Sequence, residues 1–436
     1  MNSILFVWKL FLKDEVADIN AYLAGQPMAV FALLLAILAG IYFASESKSL
    51  ERVFKILPCV FWIYFIPMLL STIGIFPGKS VTYGLIKSYA LPASLFLLFI
   101  SVSIPDVIKL GPRTLGVMLF GSAGIVVGGV CGMLALKPFF AAGLLPERHL
   151  PVLWKGVAAL SGSWIGGSAN MAAVWESVVS MPQTKLEGEV YSAMVAVDIL
   201  VAYSWMAIVI ALSTIQSKFD RWNRADTRMI QDVNRRMKEI HEKNAKYLRT
   251  DKFLYMLASA LVVSIVCLWL SKSINSSLQG VIKSEMLKSV VGSYTILVII
   301  VTLIGLSLSF TPVRRLEDYG ASRVGYALLY LVLARIGAKA NLNAIGEFPY
   351  YLVMGVVWIG VHALFLLIGA RILKAPMFFA ATSSQANIGG TVSAPVVAAA
   401  YQPNLAVVGL LMAVVGGIIG TFLALFGTGL LAQLIF

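Results

Sequence analysis

The sequence predicts an all-α polytopic membrane protein made of two inverted repeats, each with five transmembrane helices and one re-entrant hairpin, about ten crossings in all. Three observations carry that expectation. Of 436 residues, 59% are hydrophobic and 13% charged, and the mean hydropathy is +0.87. Long uncharged apolar runs at that density belong to helical membrane proteins, and the ten-residue alternation of a barrel is missing. The runs fall into two sets of six around one polar linker. The fifth run of each set carries the same motif, Trp164-Ile165-Gly166-Gly167-Ser168 in one and Asn387-Ile388-Gly389-Gly390-Thr391 in the other.

Residues 1–26 read as an interfacial N-terminal segment. Lys9 and Lys13 follow an apolar start and no small-residue cleavage pattern is present, so a cleaved leader is not expected. Lys13-Asp14-Glu15 with Val16, Ile19 and Leu23 suggests an amphipathic stretch. The first membrane repeat, 27–214, has apolar segments at about 27–44, 55–76, 82–103, 114–136, 152–180 and 190–214. The linker is 215–252. The second repeat, 253–436, has segments at about 253–271, 289–309, 321–338, 350–373, 376–401 and 404–434. Pro105-Asp106 and Ala340-Asn341 precede the fourth members at similar distances, and Asp106 and Asn341 are expected as helix caps.

In the linker, Phe219, Trp222, Met229, Val233, Met237, Ile240 and Tyr247 recur mostly every three or four residues, with charges between them. One amphipathic helix follows, with a basic polar face, on the inner membrane surface or against the protein. It joins the two halves; a lipid or calmodulin-type target is the functional alternative.

Charge orients the chain. The linker holds eleven Lys/Arg and is placed in the cytoplasm. If the fifth segments re-enter, four further basic groups fall inside: Lys48, Arg52 and Lys55; Lys109 and Arg113; Arg314, Arg315 and Arg323; Arg371 and Lys374. Together these are 21 of the 34 basic residues. If the fifth segments cross, the first two of those groups move outside. The inverted arrangement therefore follows, with hairpins entering from opposite faces and both termini outside. The net charge of +13 has the same origin, and nucleic-acid binding is not expected. Cys59, Cys131 and Cys267 are isolated and suggest neither a disulfide framework nor a thiolate site.

Ungapped extension of the motif match pairs Ser161 with Ser384, Asn170 with Ser393 and Ala172 with Pro395. A segment broken at a Gly-Gly pair gives two arms of about a dozen residues. Each rises about 18 Å, enough to reach the midplane and return. Backbone bared there can bind ions and substrate carboxylates, and polar, glycine-interrupted segments in matching places point to a transporter's binding site. Close packing by small residues is the structural alternative for a single pair. The candidate binding residues of the first hairpin are Ser161, Ser163, Gly166, Gly167, Ser168 and Asn170. Those of the second are Thr382, Ser383, Ser384, Gln385, Asn387, Gly389, Gly390, Thr391 and Ser393.

Asp198 is the single most telling charge, because ionisable residues in mid-membrane are costly and usually functional. It is read as a cation ligand or proton carrier, and Asn387, Ser384 and Asp198 as candidate sodium ligands. Glu176 lines the site or faces a mouth. Arg335 binds a substrate carboxylate or plays a structural part, and His362 is a packed, hydrogen-bonded residue. His149, His241 and His362 show no paired metal-ligand spacing, and the motif serines lack a neighbouring base, so no enzyme activity and no cofactor is expected.

The motif pair, with its two sets of six segments around a basic linker, resembles the YjcL-like membrane protein family, a domain of unknown function. Ser383 to Pro395 is the most specific stretch of a resemblance covering nearly the whole chain. That family is distantly similar to the sodium/glutamate symporters, the 2-hydroxycarboxylate carriers and the bile-acid and sodium/proton antiporter fold group. The resemblance implies an elevator: a moving core of hairpins and the segments near 190–214 and 404–434, against a dimerising scaffold from the first two segments of each half. A homodimer in a bacterial cytoplasmic (inner) membrane is implied, with a plastid inner membrane as the alternative. The residues it singles out are Gly166, Gly167, Gly389, Gly390 and their polar neighbours. Ile-Gly-Gly-Ser/Thr departs from the Gly-Gly-x-Gly of the dicarboxylate relatives, which leaves the solute open.

The expected function is secondary active transport: sodium-coupled symport of a small organic anion, amino acid or short peptide. A cation/proton antiporter using Asp198, with H+ as the coupling ion, is one alternative. A non-transporting membrane scaffold or receptor is the alternative of another class.

Overall fold

The structure is a computed structural model describing residues 13–56, 59–180, 183–237, 246–339, 348–402 and 405–435. Asn341, Ile240 and His241 lie outside the described residues. Apolar periodicity becomes helix throughout, and no strand occurs among the described residues. In the first half the helices are α1 (Lys13–Gly25), α2 (Pro27–Ser45), α3 (Cys59–Ile73), α4 (Val81–Ile100, with a π turn at Ile86–Ala90) and α5 (Pro112–Ala141). Then come α6 (Leu150–Gly166), α7 (Ser168–Val178) and α8 (Lys185–Ala211). The linker gives α9 (Gln216–Asn223) and α10 (Arg228–Met237). The second half contributes α11 (Thr250–Gln279), α12 (Ser293–Leu308), α13 (Ala321–Lys339), α14 (Phe348–Ile372), α15 (Met377–Ile388), α16 (Gly390–Tyr401) and α17 (Ala406–Ala432, with a π segment at Leu423–Gly429).

Among the described residues eight helices are long and apolar enough to cross a membrane: α2, α4, α5, α8 with its extension to Asn223, α11, α13, α14 and α17. A ninth span arises if α12 is joined to the bent segment Pro312–Tyr319, and α3 is a shorter apolar helix. The protein is therefore a multi-pass membrane protein.

Corresponding helices meet across the halves. On α5, Gly116 faces Leu373 just past the end of α14, Gly124 faces Phe365, Gly132 faces Met354, and the Phe139 ring lies tilted against Tyr350. The two fourth members thus run antiparallel. A Cβ on Gly124 would stand 2.7 Å from Phe365 Cβ and 3.0 Å from the His362 backbone, so the stripe lets the helices approach where lipid provides no hydrophobic drive. The third members, α4 and α13, are antiparallel too. Gly325 packs on Leu97 and Leu98, while Lys87 and Arg335 share a partner at the other end. The second helix of each half packs on the third helix of the other, α3 on α13 and α12 on α4.

Two expectations need correction. The linker is two helices, because Arg224 turns left-handed (φ 51°) and ends α9. Met229 and Val233 are buried in one apolar cluster with residues of α8, α14 and α15, so α10 lies on the protein. Asp106 is not an N-cap: Ser103 takes that place, donates to the Asp106 carboxylate, and Asp106 pairs with Lys109 at 3.4 Å and Arg314 at 3.7 Å.

Candidate functional site

The two motifs break their helices alike. Gly167 (φ +88°) separates α6 from α7, and Gly390 (φ +61°) opens α16 just after α15 ends. These are the aligned second glycines of the motifs, in a region L side chains rarely enter. The breaks also meet: a Cβ on Gly390 would lie 3.5 Å from the Gly167 Cα.

Helix α8 measures where each arm goes. Lys155, early in α6, pairs with Glu187 at 2.5 Å, and Ser163, late in α6, reaches Asp198. The helices α6 and α8 therefore run parallel, and α7 must return to the level where α6 began. Its packing on α6 agrees, since a Cβ on Gly162 would touch the Asn170 backbone and Val174. Farther along, Trp205 meets Ser384 of α15, Val209 accepts from Tyr401 at the end of α16, and Asp220 accepts from the Met377 amide. The second hairpin thus enters from the opposite end of α8. From Glu187 to Val209 is 22 residues, about 33 Å of helix, close to the hydrocarbon thickness. Asp198 sits eleven residues from either.

Asp198 accepts 2.8 Å hydrogen bonds from Ser163 Oγ and Trp164 Nε1, and no cation among the described residues pairs with it. Ser161 bonds Thr428 of α17 at 2.7 Å. The Asn170 amide donates to the Gly417 carbonyl at 2.9 Å and Thr421 Oγ1 at 3.1 Å. Gly166 rests on Gly416 and Gly420, while Ser168 is half-buried at the tip.

The second hairpin is more enclosed; every residue of α15 is buried. His362 Nδ1 donates to the Gly121 carbonyl at 2.9 Å, leaving Nε2 to accept from Ser384 at 3.0 Å, and Trp205 Nε1 donates to the same hydroxyl at 2.8 Å. The Asn387 amide donates to the Ser383 carbonyl at 2.9 Å and accepts from Ser122 Oγ at 2.8 Å. Gln385 Nε2 donates to Ser393 Oγ at 3.0 Å across Gly389, and Thr391 bonds Tyr326 at 2.8 Å. Three buried oxygens of this hairpin, Thr382 Oγ1, Ser383 Oγ and Gln385 Oε1, have no hydrogen-bond partner among the described residues.

Of the three residues read as sodium ligands, each has separate partners: Asp198 in the first hairpin, Ser384 on α8 and α14, Asn387 on α5. None bonds another. The unsatisfied oxygens lie instead within one turn of α15, and they are the hard donors left for a cation.

Arg335 takes the structural option, whereas Glu176, expected to line the site or face a mouth, does neither: it is buried in an ion cluster away from the hairpin tips. Buried Glu176 pairs with Arg335 and, at 2.9 Å, with Lys87, tying α7 to α13 and α4. His362 is packed and hydrogen-bonded, as expected. Trp205, Ser122, Thr428 and Tyr326 escaped the sequence reading. Trp205 alone left a signal, lying two turns beyond Asp198 on the same face of α8.

The family described as "Protein of unknown function (DUF819)" matches residues 32–434. The chain belongs to the DUF819 family. Within reach of it is the "Uncharacterized membrane protein YjcL" of Bacillus subtilis (strain 168), 22% identical over 364 residues, covering 82% of this chain and 86% of that protein. The expected YjcL-like membership is thereby shown, and the relative's printed name agrees that the chain is a membrane protein.

Proposed function

We propose that this DUF819 protein is a secondary active transporter whose ion and solute site is built from the two hairpin tips. The observation that carries the reading is the meeting of two matched glycine breaks beside a mid-span carboxylate without a cationic partner. Broken helices at the midplane of a repeat interface are where carriers bind substrate and coupling ion.

The layout we infer is two inverted repeats of five crossings and one re-entrant hairpin each. Antiparallel pairing of corresponding helices supports inversion, and the entry of the hairpins at opposite ends of α8 supports re-entry. In an elevator scheme α5 to α8 and α14 to α17 form the moving core, and α2 to α4 with α11 to α13 the scaffold. That division follows the packing groups and includes the third segments in the scaffold. A homodimer through that scaffold and an inner-membrane location with both termini outside belong to the same proposal.

Sodium is the favoured coupling ion, with the unsatisfied oxygens of Thr382 and Gln385, three residues apart on one face of α15, as its ligands. Thr382→Val tests this. Removing a buried hydroxyl that has no partner leaves stability in choline unchanged or higher, yet lowers sodium affinity about tenfold. Equal sodium titration midpoints, read by melting temperature in wild type and variant, would remove Thr382 from the site. The unpaired Asp198 carboxylate favours a second reading, proton-coupled antiport.

A further inference from the structure

Where the amino end of α5 meets the carboxyl end of α14, a cavity of about 540 Å³ opens between Arg113, Asp226, Arg228, Ile372, Leu373 and Lys374. Three cations face one carboxylate. That carboxylate is committed: Asp226 takes the Arg113 guanidinium at 3.0 Å and the Arg228 amide at 3.3 Å. The Arg228 guanidinium and Lys374 ammonium form no ion pair with any described residue. Helix dipoles add to the imbalance. The carboxyl end of α14 is neutralised by the linker, since the Asn223 amide donates to the Ala370 and Ala375 carbonyls and the Asp226 amide to the Lys374 carbonyl. The amino end of α5 has no side-chain cap, so the partial positive charge of its free amides adds to that of the cations. Lys374 is one of two non-glycine residues with positive φ (49°) among the described residues, held so by the Asp226 bond. Such a conformation persists only when its surroundings fix it.

The cavity also lies at a defined depth. Pro112 begins one membrane-length helix and Ile372 ends another. Trp222, 62% exposed, lies against the Arg371 guanidinium at 5.4 Å, as tryptophans do at the bilayer surface. Ile372, also 62% exposed, gives the cavity an open apolar flank, while Leu373 packs inward against Gly116.

We propose that this cavity binds the phosphate of an anionic phospholipid headgroup, with Arg228 and Lys374 as its counter-charges and the acyl chains running along Ile372. Basic pockets between transmembrane helices recognise such headgroups. The open apolar flank favours a lipid over a soluble phosphate. The inference rests on the membrane setting alone and stands whether or not the protein is a carrier.

The test is the melting temperature of the full-length protein in detergent, titrated with short-chain phosphatidylglycerol, phosphatidylcholine or inorganic phosphate. Phosphatidylglycerol is expected to stabilise, and the other two to have no effect at equal concentration. Arg228→Gln with Lys374→Gln weakens the phosphatidylglycerol midpoint about twenty-five-fold, at about fivefold per cation. Lys272→Gln with Lys283→Gln removes the same charge from exposed positions elsewhere and leaves that midpoint within about twofold. An unchanged midpoint in the Arg228/Lys374 variant overturns the proposal. Equal weakening by the Lys272/Lys283 control overturns it too, as would a response to inorganic phosphate as large as that to the lipid, which would mark a soluble ligand.

Discussion

Asp198→Asn is expected to weaken cation binding about 10- to 100-fold while leaving the protein folded. The carboxylate lies midway between the levels at which the two hairpins enter, and its oxygens are solvated by Ser163 and Trp164, neutral donors that leave its charge in place. An uncompensated charge at that depth is costly. A bound Na+ or H+ removes the cost, and a charge-assisted contact of this kind is worth about 1.5–3 kcal/mol, which sets the expected loss. Asparagine keeps the shape and an oxygen to accept from Trp164. Sodium titration by melting temperature gives the affinity, and a pH-sensitive dye inside proteoliposomes reports proton exchange. A large rise in the sodium midpoint assigns Asp198 to sodium, whereas loss of a sodium-driven proton flux assigns it to the antiport reading. Wild-type values in both assays would leave Asp198 without a part in coupling.

Glu176→Gln is expected to destabilise the protein by about 3–5 kcal/mol, the usual result of removing one partner from a buried ionic cluster. Two cations, Lys87 and Arg335, would then lose the carboxylate they share. Lys87 also donates to the Glu176 main-chain carbonyl at 2.9 Å and lies 4.6 Å from the Tyr294 ring centre, so it cannot leave without breaking other contacts. Adding Lys87→Met and Arg335→Met to Glu176→Gln should recover most of the loss, because apolar residues of similar volume replace buried ion pairs at little cost. Thermal melting of the single and triple variants measures this. A single variant that melts with wild type would show that the cluster adds little to stability.

Much of this site could be read from sequence because its signals are local. A Gly-Gly pair alone is no break, since Gly128-Gly129 and Gly416-Gly417 stay inside α5 and α17; the hydroxyl and amide residues flanking the two motif pairs are the local signal, and both of those breaks fall at the second glycine. Asp198 stood out because a lone charge in such a run is rare. The partners of the hairpins were hidden for the opposite reason. Trp205 with Ser384, Ser122 with Asn387 and Ser161 with Thr428 join residues 179, 265 and 267 positions apart. Each is a single hydroxyl or indole in an apolar helix, with no spacing to betray it. The break of the linker at Arg224 was equally silent, since an arginine in the left-handed region carries no local signal, unlike glycine or asparagine. The chemistry of Ser384 and Asn387 suits an ion, and sequence alone leaves both free to hold one. Only packing shows those groups committed to His362, Trp205 and Ser122, and the unsatisfied oxygens on the residues beside Ser384.

The most direct measurement is the melting temperature of purified wild-type protein in sodium against potassium and choline, repeated with amino acids, short peptides and carboxylates. A ligand that binds the native state raises that temperature by mass action. A carrier with a sodium site at its hairpin tips predicts a sodium-specific rise that grows further with one class of solute, each ligand tightening the other. Identical melting in all three salts, at every pH and with every solute, would contradict it.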